Sequence, residues 1–194
     1  LKQLEQSVTG AHAFVCDLMA PDQITTVLAA IESKLGPVSV MMYNAGGGVF
    51  KNVEEASLDE FEANWRLNVQ GLVAATKAAL PQLRQHDTAS IIITSASAAT
   101  RGRANTAPFA SAKAAQRSLA QSLARQLGPE KIHVANVVID GVVDLPRTRE
   151  WLADKPDDFF VKPTAVADAA WNLCQQHPSA WTFELDVRPF GETW

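Results

Sequence analysis

Short apolar runs alternate along this chain with longer amphipathic stretches, which is the pattern of βα units on a parallel sheet. Runs 38–43 and 132–139 are apolar on both faces, as strands buried inside a parallel sheet are. Run 11–16 is also apolar and ends at Asp17. Five strands are predicted, with a helix after each of the first four: 11–16, 38–43, 90–94, 132–139 and 181–187.

The longest helical region, 57–85, begins at a capping box in which Glu60 follows Ser57 by three residues. Pro81 lies inside this region and is expected to kink or divide the helix, because proline lacks the backbone N–H. Three further helices are predicted at 21–35, 107–127 and 164–177. Before the last of these, segment 142–163 combines prolines with mixed charges, and we expect it to be mobile and to carry one or two short helices.

Length and composition fit a single α/β domain over residues 1–194. Hydrophobic residues make up 47% of the chain and charged residues 20%, which is ordinary for a soluble globular protein. The formal net charge of −4 includes no basic excess, so electrostatics gives no reason to expect nucleic acid or a membrane as a partner. No apolar stretch approaches the ~20 residues that span a bilayer.

Cys16 and Cys174 lie far apart in the sequence and form no metal-type pair. We interpret them as two buried free thiols, which fits a protein of the reducing cytoplasm. The four histidines share no spacing that would chelate a metal, so no zinc site is expected.

The chain begins at Leu1 without an initiator methionine and without the apolar core of a signal peptide. Residues 1–5 have the pattern of the last turns of an amphipathic helix that began upstream. We therefore expect the domain to be N-terminally incomplete, with the first βαβ portion of its sheet preceding Leu1.

The residues directly after each predicted strand form the candidate site, because ligands of open parallel sheets bind outside the carboxyl ends of the strands. These residues are expected to converge in space although they are far apart in the sequence. Asn68, in the long helical region, and Lys113, in the first turns of the next helix, complete the set. The strand-end residues are Asp17, Asn44, Ala45, Gly46, Ser95, Ala96, Ser97, Asp140 and Gly141.

Four motifs in this order resemble the short-chain dehydrogenase/reductase family, and the resemblance covers essentially the whole chain. They are Asn44-Ala45-Gly46 after a buried strand, Asn68-Val69-Gln70-Gly71 in the next helix, a serine-bearing strand end, and Phe109-x-x-x-Lys113. The resemblance implies a Rossmann-like, doubly wound parallel sheet that binds NAD or NADP. It also implies oxidoreductase activity on a small carbonyl or alcohol, and assembly as a homodimer or homotetramer through the two long helices and the C-terminal strand.

The family's usual site is an asparagine, a serine, a tyrosine and a lysine, with the last two spaced Tyr-x-x-x-Lys. Lys113 and Asn68 match two of these positions directly. The tyrosine position holds Phe109, and the serine position falls between Ser95 and Ser97. Phenylalanine neither donates nor accepts a proton. The family's relay, in which a lysine ammonium lowers the pKa of a phenol, therefore cannot run here.

The sequences 108–113, 138–141 and 179–190 resemble a subgroup of the family that carries phenylalanine at this place. We therefore interpret Phe109 as a native residue. The subgroup brings no well-defined reaction that can be carried over to this chain.

The family's glycine-rich phosphate-binding turn is not found in the sequence, and Gly46-Gly47-Gly48 follows the wrong strand to replace it. The choice between NAD and NADP is therefore not readable from the residues. Lys113 is expected to contact a ribose of the cofactor. By resemblance, the cofactor-binding residues are Asp17, Asn44, Ala45, Gly46, Lys113, Asp140 and Gly141.

Several of these positions have a second interpretation. Asp17 either contacts adenine or caps the turn that follows it. Asp140 stands where the family usually has proline, and its carboxylate lies near the nicotinamide or has only a structural role. Ser95 and Ser97 either face the substrate or satisfy backbone groups at a strand end. Phe109 is either a functional departure or one more apolar residue that fills the site.

Three functions stay open from the sequence. The leading one is a nicotinamide-dependent oxidoreductase whose proton comes from Ser95, Ser97, water held by Lys113, or the substrate itself. The second is a catalytically silent nucleotide-binding protein that acts as a sensor or oligomer partner. The third is a reaction that needs no phenol, such as reduction of an activated double bond.

Overall fold

Six strands and seven α-helices make up the regular structure of residues 2–192, which the computed structural model describes apart from the side chains of residues 2 and 4. The strands are β1 (Val40–Tyr43), β2 (Ala89–Ala96), β3 (Ile132–Ile139), β4 (Val142–Val143), β5 (Phe160–Val161) and β6 (Glu184–Val187). The helices are α1 (Lys2–Ser7), α2 (Pro21–Leu35), α3 (Leu58–Trp65), α4 (Gly71–Leu83), α5 (Ala107–Leu127), α6 (Pro146–Trp151) and α7 (Pro163–Cys174).

Strands β1, β2, β3 and β6 form one parallel sheet in that spatial order. The centre of the sheet is the β2–β3 pair, in which Ala89 lies opposite Ile132 and Ala96 opposite Ile139. Both strands are mostly apolar and are buried along most of their length. Such burial is typical of parallel strands that helices cover on both faces.

Successive side chains of the central strands enter two separate cores, because strand residues alternate between the faces of a sheet. On one face, Ile91 packs with Leu72 of α4 and Leu127 of α5. On the other face, Ile92 packs with Leu173 of α7. Helices on both faces of a parallel sheet make this a Rossmann-like α/β fold, and the predicted fold class is confirmed.

The long helical region is divided at a π-helix, Arg66–Gln70, and not at Pro81. At the division, the Gly71 amide donates to the carbonyl of Arg66, five residues earlier. Pro81 lies near the end of α4, which continues to Leu83. The prediction that Pro81 would divide the helix is therefore wrong.

Two side chains explain the division, because each takes a carbonyl that a regular α-helix would use. The hydroxyl of Tyr43 donates to the carbonyl oxygen of Leu67 over 2.6 Å. The Nδ2 of Asn68 donates to the carbonyl oxygen of Asn64 over 2.8 Å. Side-chain donors of this kind compete with the helix's own amides, and the backbone shifts to the wider turn.

The predicted strand 11–16 is wrong. A strand needs a hydrogen-bonded neighbour, and within residues 2–192 no strand pairs with this segment. Two amides, one inside this segment and one just after it, bind side chains instead. The amide of Ala13 donates to Oε1 of Glu5 and that of Asp17 to Oε1 of Gln23, each over 3.1 Å. Apolar character predicted a strand here but could not supply the partner that a strand requires.

Segment 142–163 is tied together by contacts that its composition did not predict. Strands β4 and β5 pair as a small parallel sheet beside α6. Arg149 donates to both carboxylate oxygens of Asp144, over 2.6 and 2.8 Å, and to Asp157 over 2.6 Å. Its guanidinium also lies 4.1 Å from the ring centroid of Phe160. The short helix expected in this segment is confirmed.

Both cysteines are free thiols, as predicted, but Cys16 and Cys174 are half-buried and not fully enclosed. Burial raises the pKa of both thiols. Within residues 2–192, no helix combines the length and the apolar character needed to cross a bilayer.

Candidate active site

The carboxyl ends of β2 and β3 lie side by side, which brings Ser95 opposite Val138 and places Asp140 just beyond the sheet. The end of β1 lies next to them and continues into the loop that begins at Asn44. The π-helix and the first turns of α5 border the same edge. Their polar residues, Asn68 and Lys113, are both buried.

Asn68 is fully buried at the π-helix. Its Nδ2 donates to the carbonyl oxygens of Asn64 (2.8 Å) and Gly47 (3.1 Å), which fixes the orientation of the amide. Its Oδ1 has no hydrogen-bond partner among the described residues. A buried amide oxygen without a partner is costly, so Asn68 presents an acceptor that a bound polar group would satisfy.

Lys113 is also enclosed, with only 4% of its surface exposed. Its ammonium donates to the carbonyl oxygen of Thr94 at the end of β2 (3.1 Å) and to Oε1 of Gln116 (3.0 Å). Burial lowers the pKa of Lys113 to about 8, because the charged form loses its hydration. The ammonium can therefore exchange a proton close to neutral pH.

Gly46 is the point at which these two groups meet. A Cβ atom at position 46 would lie 3.3 Å from Nζ of Lys113 and 3.5 Å from Oδ1 of Asn68. The next glycine is equally constrained, since a Cβ at Gly47 would lie 3.0 Å from the side chain of Leu67. The backbone of the loop after β1 thus passes close to the ammonium and the amide, and an added side chain at either glycine would press on its neighbours.

Phe109 lies on the same face of α5 as Lys113, one helical turn before it. Its ring packs against the backbone of Gly48 and lies 5.2 Å from the ring of Phe50, tilted by 44°. Phe50 itself is 63% exposed. The position that resembles the family's tyrosine is therefore part of an apolar wall and offers no proton.

The two serines have different surroundings. Ser95 is buried, and its Oγ has no hydrogen-bond partner among residues 2–192. Ser97 is half-buried and begins a 3-10 turn, in which its carbonyl oxygen accepts from the amides of Thr100 and Arg101. Ser95 thus resembles Asn68 in presenting a polar atom that no described residue satisfies.

Asp17 caps the turn before α2. Its Oδ1 accepts from the amide of Met19 over 2.9 Å, and the side chain is exposed. Asn44 and Gly46 are exposed as well, and Ala45 is half-buried. The loop after β1 is therefore open to solvent next to the buried groups that it covers.

Asp140 is buried, and its carboxylate is held by two arginines. Oδ1 accepts from Nη2 of Arg101 over 2.5 Å, and Oδ2 lies 3.8 Å from Nη1 of Arg188. Gly141 follows in a cramped position, where a Cβ would lie 2.8 Å from Pro189. These contacts give Asp140 a structural role, which is one of the two interpretations that the sequence allowed.

Gln116, Arg101 and Arg188 were not among the residues predicted for the site. Gln116 is fully buried and links Lys113 to the carbonyl oxygen of Asn68, to which its Nε2 donates over 2.8 Å. A polar residue three positions after Lys113, on the alanine-rich face of α5, is the signal that could have identified it. The arginines gave no such signal, because they lie in irregular segments.

A family model described as short chain dehydrogenase matches residues 1–156. The chain belongs to the short chain dehydrogenase family. The crystal structure of a short-chain dehydrogenase from Rhodopseudomonas palustris is 32% identical and covers 97% of this chain and 79% of that one, with a TM-score of 0.80.

Other short chain dehydrogenase relatives are more distant. A tropinone reductase homologue of Arabidopsis thaliana is 28% identical over 142 residues, which are 73% of this chain and 53% of that protein. The 7alpha-hydroxysteroid dehydrogenase of Escherichia coli K12 is 26% identical over 180 residues, 89% of this chain and 70% of the enzyme. The match thus spans 53% and 70% of the length of these two curated relatives.

The fold also matches the NADPH-bound structure of a short chain oxidoreductase from Pseudomonas aeruginosa PAO1, described as containing an atypical catalytic center. The TM-score is 0.87, and the match covers 98% of this chain and 80% of that one. With 24% identical residues, this similarity establishes the shared fold alone.

Proposed function

We propose that this chain belongs to an NAD(P)-dependent oxidoreductase that acts on a small carbonyl or alcohol through an atypical site, with Phe109 at the tyrosine position. The observation that carries the proposal is the approach of the Lys113 ammonium and the Asn68 amide oxygen to Gly46 at the carboxyl edge of the sheet. Ligands of open parallel sheets bind at this edge. Membership of the short chain dehydrogenase family supports the same activity.

The residues present fit a nicotinamide cofactor. Asn68 and Ser95 each present a buried polar atom without a partner among the described residues, and Gly46 leaves space that a Cβ would fill. When bound, the nicotinamide would supply or accept a hydride. Lys113 would hold a ribose. The other residues proposed to contact the cofactor are Asp17, Asn44, Ala45, Gly46, Asp140 and Gly141.

The cofactor is proposed as NAD or NADP, without preference from the residues of this chain. Two proteins of similar fold support a nicotinamide cofactor. One is the NADPH-bound oxidoreductase of Pseudomonas aeruginosa. The other is an alcohol dehydrogenase from Thermococcus sibiricus complexed with 5-hydroxy-NADP, with a TM-score of 0.79 and 22% identity.

Lys113 is the proposed proton source, acting through water. Two of its hydrogens are donated to Thr94 and Gln116, and the third has no acceptor among the described residues. In a carbonyl reduction, an N–H bond of the ammonium breaks, water passes a proton to the substrate oxygen, and neutral lysine later regains a proton from solvent. A pKa of about 8 suits this exchange. The Ser95 hydroxyl would hold the substrate oxygen.

A catalytically silent nucleotide-binding protein is the second candidate, and the packing of Phe109 favours it. The ring packs against Gly48 and Phe50. It carries no hydroxyl, whereas the family has a tyrosine at the position that Phe109 resembles. Such a protein would bind the cofactor through the same groups and transfer no hydride.

Titration of the full-length protein with NADPH and with NADH tests the proposal. We expect at least one of them to bind, and Lys113→Met to weaken that binding about ten-fold or more, because a charge-assisted hydrogen bond is lost. Lys77→Met removes an exposed lysine and serves as the matched control. Absence of binding to both nucleotides would exclude both the oxidoreductase and the silent nucleotide-binding protein.

Three further properties belong to the same proposal. Residues 1–194 form one domain, which the shared sheet and the two cores on its faces support. The protein is a homodimer or homotetramer, as the family resemblance implies. It is cytoplasmic, which the two free thiols support.

A further inference from the structure

Gln116 of α5 is fully buried, and its amide joins two groups of the candidate site. Its Oε1 accepts from Nζ of Lys113 over 3.0 Å, and its Nε2 donates to the carbonyl oxygen of Asn68 over 2.8 Å. The side chain therefore connects the ammonium to the π-helix that carries the Asn68 amide.

Chemistry allows only one orientation of this amide. With Oε1 and Nε2 exchanged, an N–H donor would face the Lys113 ammonium, which only donates, and an oxygen would face the Asn68 carbonyl, which only accepts. Both hydrogen bonds would be lost inside the protein. An apolar residue at 116 would likewise remove both of these hydrogen bonds from the interior.

We propose that Gln116 is a positioning residue of this site, which holds the Lys113 ammonium against the end of β2 and couples it to the Asn68 turn. It touches neither substrate nor cofactor in this assignment. Its importance for the reaction rests on the function proposed above, whereas its effect on Lys113 rests only on the contact between the two side chains.

Gln116 is the residue of α5 whose side chain accepts a hydrogen bond from the Lys113 ammonium. The other groups around the ammonium come from other elements. The acceptor from β2 is the Thr94 carbonyl, the π-helix contributes the Asn68 amide, and the loop after β1 contributes backbone at Gly46. None of these groups titrates. Burial is the cause of the lowered pKa of Lys113, and no charged side chain of the described residues contributes to it. The acidic residue after β3, Asp140, forms ion pairs with Arg101 and Arg188.

The test follows the lysine side chains of the cofactor-free full chain by NMR with carbon-13-labelled lysine, as a function of pH. The Lys113 signal is assigned by its loss in Lys113→Met. Gln116→Glu places an anionic acceptor beside the ammonium, and we expect the pKa of Lys113 to rise by about one pH unit or more. Gln116→Leu removes the acceptor, and we expect the pKa of Lys113 to fall.

Gln82 offers a matched control. It is also buried, and its amide also joins two elements, donating to the carbonyl oxygen of Leu28 and accepting from the amide of Val38, each over 3.1 Å. Gln82→Leu should lower the free energy of unfolding much as Gln116→Leu does. It should leave the titration of Lys113 where it is in the unaltered chain.

Opposite shifts of the Lys113 pKa in the two Gln116 variants, with none in Gln82→Leu, establish the coupling. An unmoved or lowered pKa in Gln116→Glu overturns the proposal, and this variant decides alone if Gln116→Leu does not fold. Because the titration is done without cofactor, its result is separate from the nucleotide titrations. Failure to bind NADPH and NADH would remove the proposed function and leave the coupling standing.

Discussion

The ring of Phe109 occupies the space in front of Gly48. A Cβ atom at position 48 would lie 2.6 Å from Cδ2 and 2.9 Å from Cγ of that ring, closer than carbon atoms can approach. The Phe109 ring is therefore fitted against a specific backbone surface. Side chain and glycine depend on each other, although they are far apart in the sequence.

Gly48→Ala is expected to lower the free energy of unfolding by about 1–3 kcal/mol, because the added methyl group forces the Phe109 ring out of its place. Chemical denaturation measures the change. In a Phe109→Ala background, Gly48→Ala should lower the free energy of unfolding much less, because the obstructing ring is gone. Gly128→Ala adds a methyl group where no atom lies within 4 Å, and it serves as the control. Equal losses in both backgrounds would contradict the packing described.

Phe109→Tyr is expected to create a titrating phenol beside Lys113 and to raise carbonyl reduction measurably. The chain has a single tyrosine, Tyr43, and burial raises its pKa to about 12. Phenolate absorbance that develops below about pH 10 would therefore come from the new hydroxyl, as part of a pair coupled to Lys113.

The double variant Phe109→Tyr, Lys113→Met is the control for that titration. Without the ammonium, phenolate should form only at higher pH, because a nearby positive charge no longer stabilises it. A phenolate titration that is the same with and without Lys113 would show that the two side chains do not interact. Absent carbonyl reduction in a Phe109→Tyr variant that binds NADPH would favour the silent protein.

Stability should depend on pH through Lys113. Burial lowers the pKa of this lysine to about 8, below the ~10.4 of an unfolded chain. Between these values the unfolded chain holds the additional proton, so the free energy of unfolding rises with pH by roughly 3 kcal/mol in total. Below about pH 8 both states are protonated, and the buried charge destabilises the fold by a constant amount.

Urea unfolding of the unaltered chain and of Lys113→Met measures this effect as a difference. The stability of the unaltered chain relative to the variant should increase as the pH is raised from about 8 to about 10.5. Lys77→Met controls for the loss of one positive charge at an exposed position. If the curves for the unaltered chain and Lys113→Met ran parallel over this range, the lysine would not carry a lowered pKa.

Asp140→Pro, which installs the residue usual in the family, is expected to destabilise this chain. The amide of Asp140 donates to the carbonyl oxygen of Val187 over 2.9 Å, and its carboxylate binds Arg101 and Arg188. Proline removes both interactions, and we expect a loss of about 3 kcal/mol by chemical denaturation. Asp140→Asn keeps the amide and should lose about half as much. An unchanged stability in Asp140→Pro would mean that the arginines contribute little.

The sequence predicted most of the sheet but not the segments that depend on distant partners. Apolar runs located β2 and β3 well, because a strand buried on both faces must be apolar along its length. The apolar run at β1 also located a strand, but β1 lies at the edge of the sheet, with Val40 and Met42 exposed and not buried as predicted. The same rule failed at 11–16, where no neighbouring strand is described. It also could not foresee that Tyr43 would capture a helix carbonyl and move the helix division away from Pro81.

In the candidate site, too, the sequence predicted relationships within one element but not contacts between elements. Spacing on one helix face placed Phe109 and Lys113 together, since that geometry is local. The pairing of Lys113 with Thr94, and the bonds of Asp140 to its arginines, join residues of different elements. No local pattern contains such information.

The sequence by itself determined the Rossmann-like α/β class, the positions of Asn68 and Lys113, and the absence of a hydroxyl at Phe109. These follow from hydrophobic period, motif order and residue chemistry, which are properties of neighbouring residues in the chain. Tertiary structure alone decided that Gly48 holds the Phe109 ring, that Gln116 binds Lys113, and that burial lowers the pKa of that lysine. These depend on which segments meet in space, and burial and contact exist only once the chain has folded.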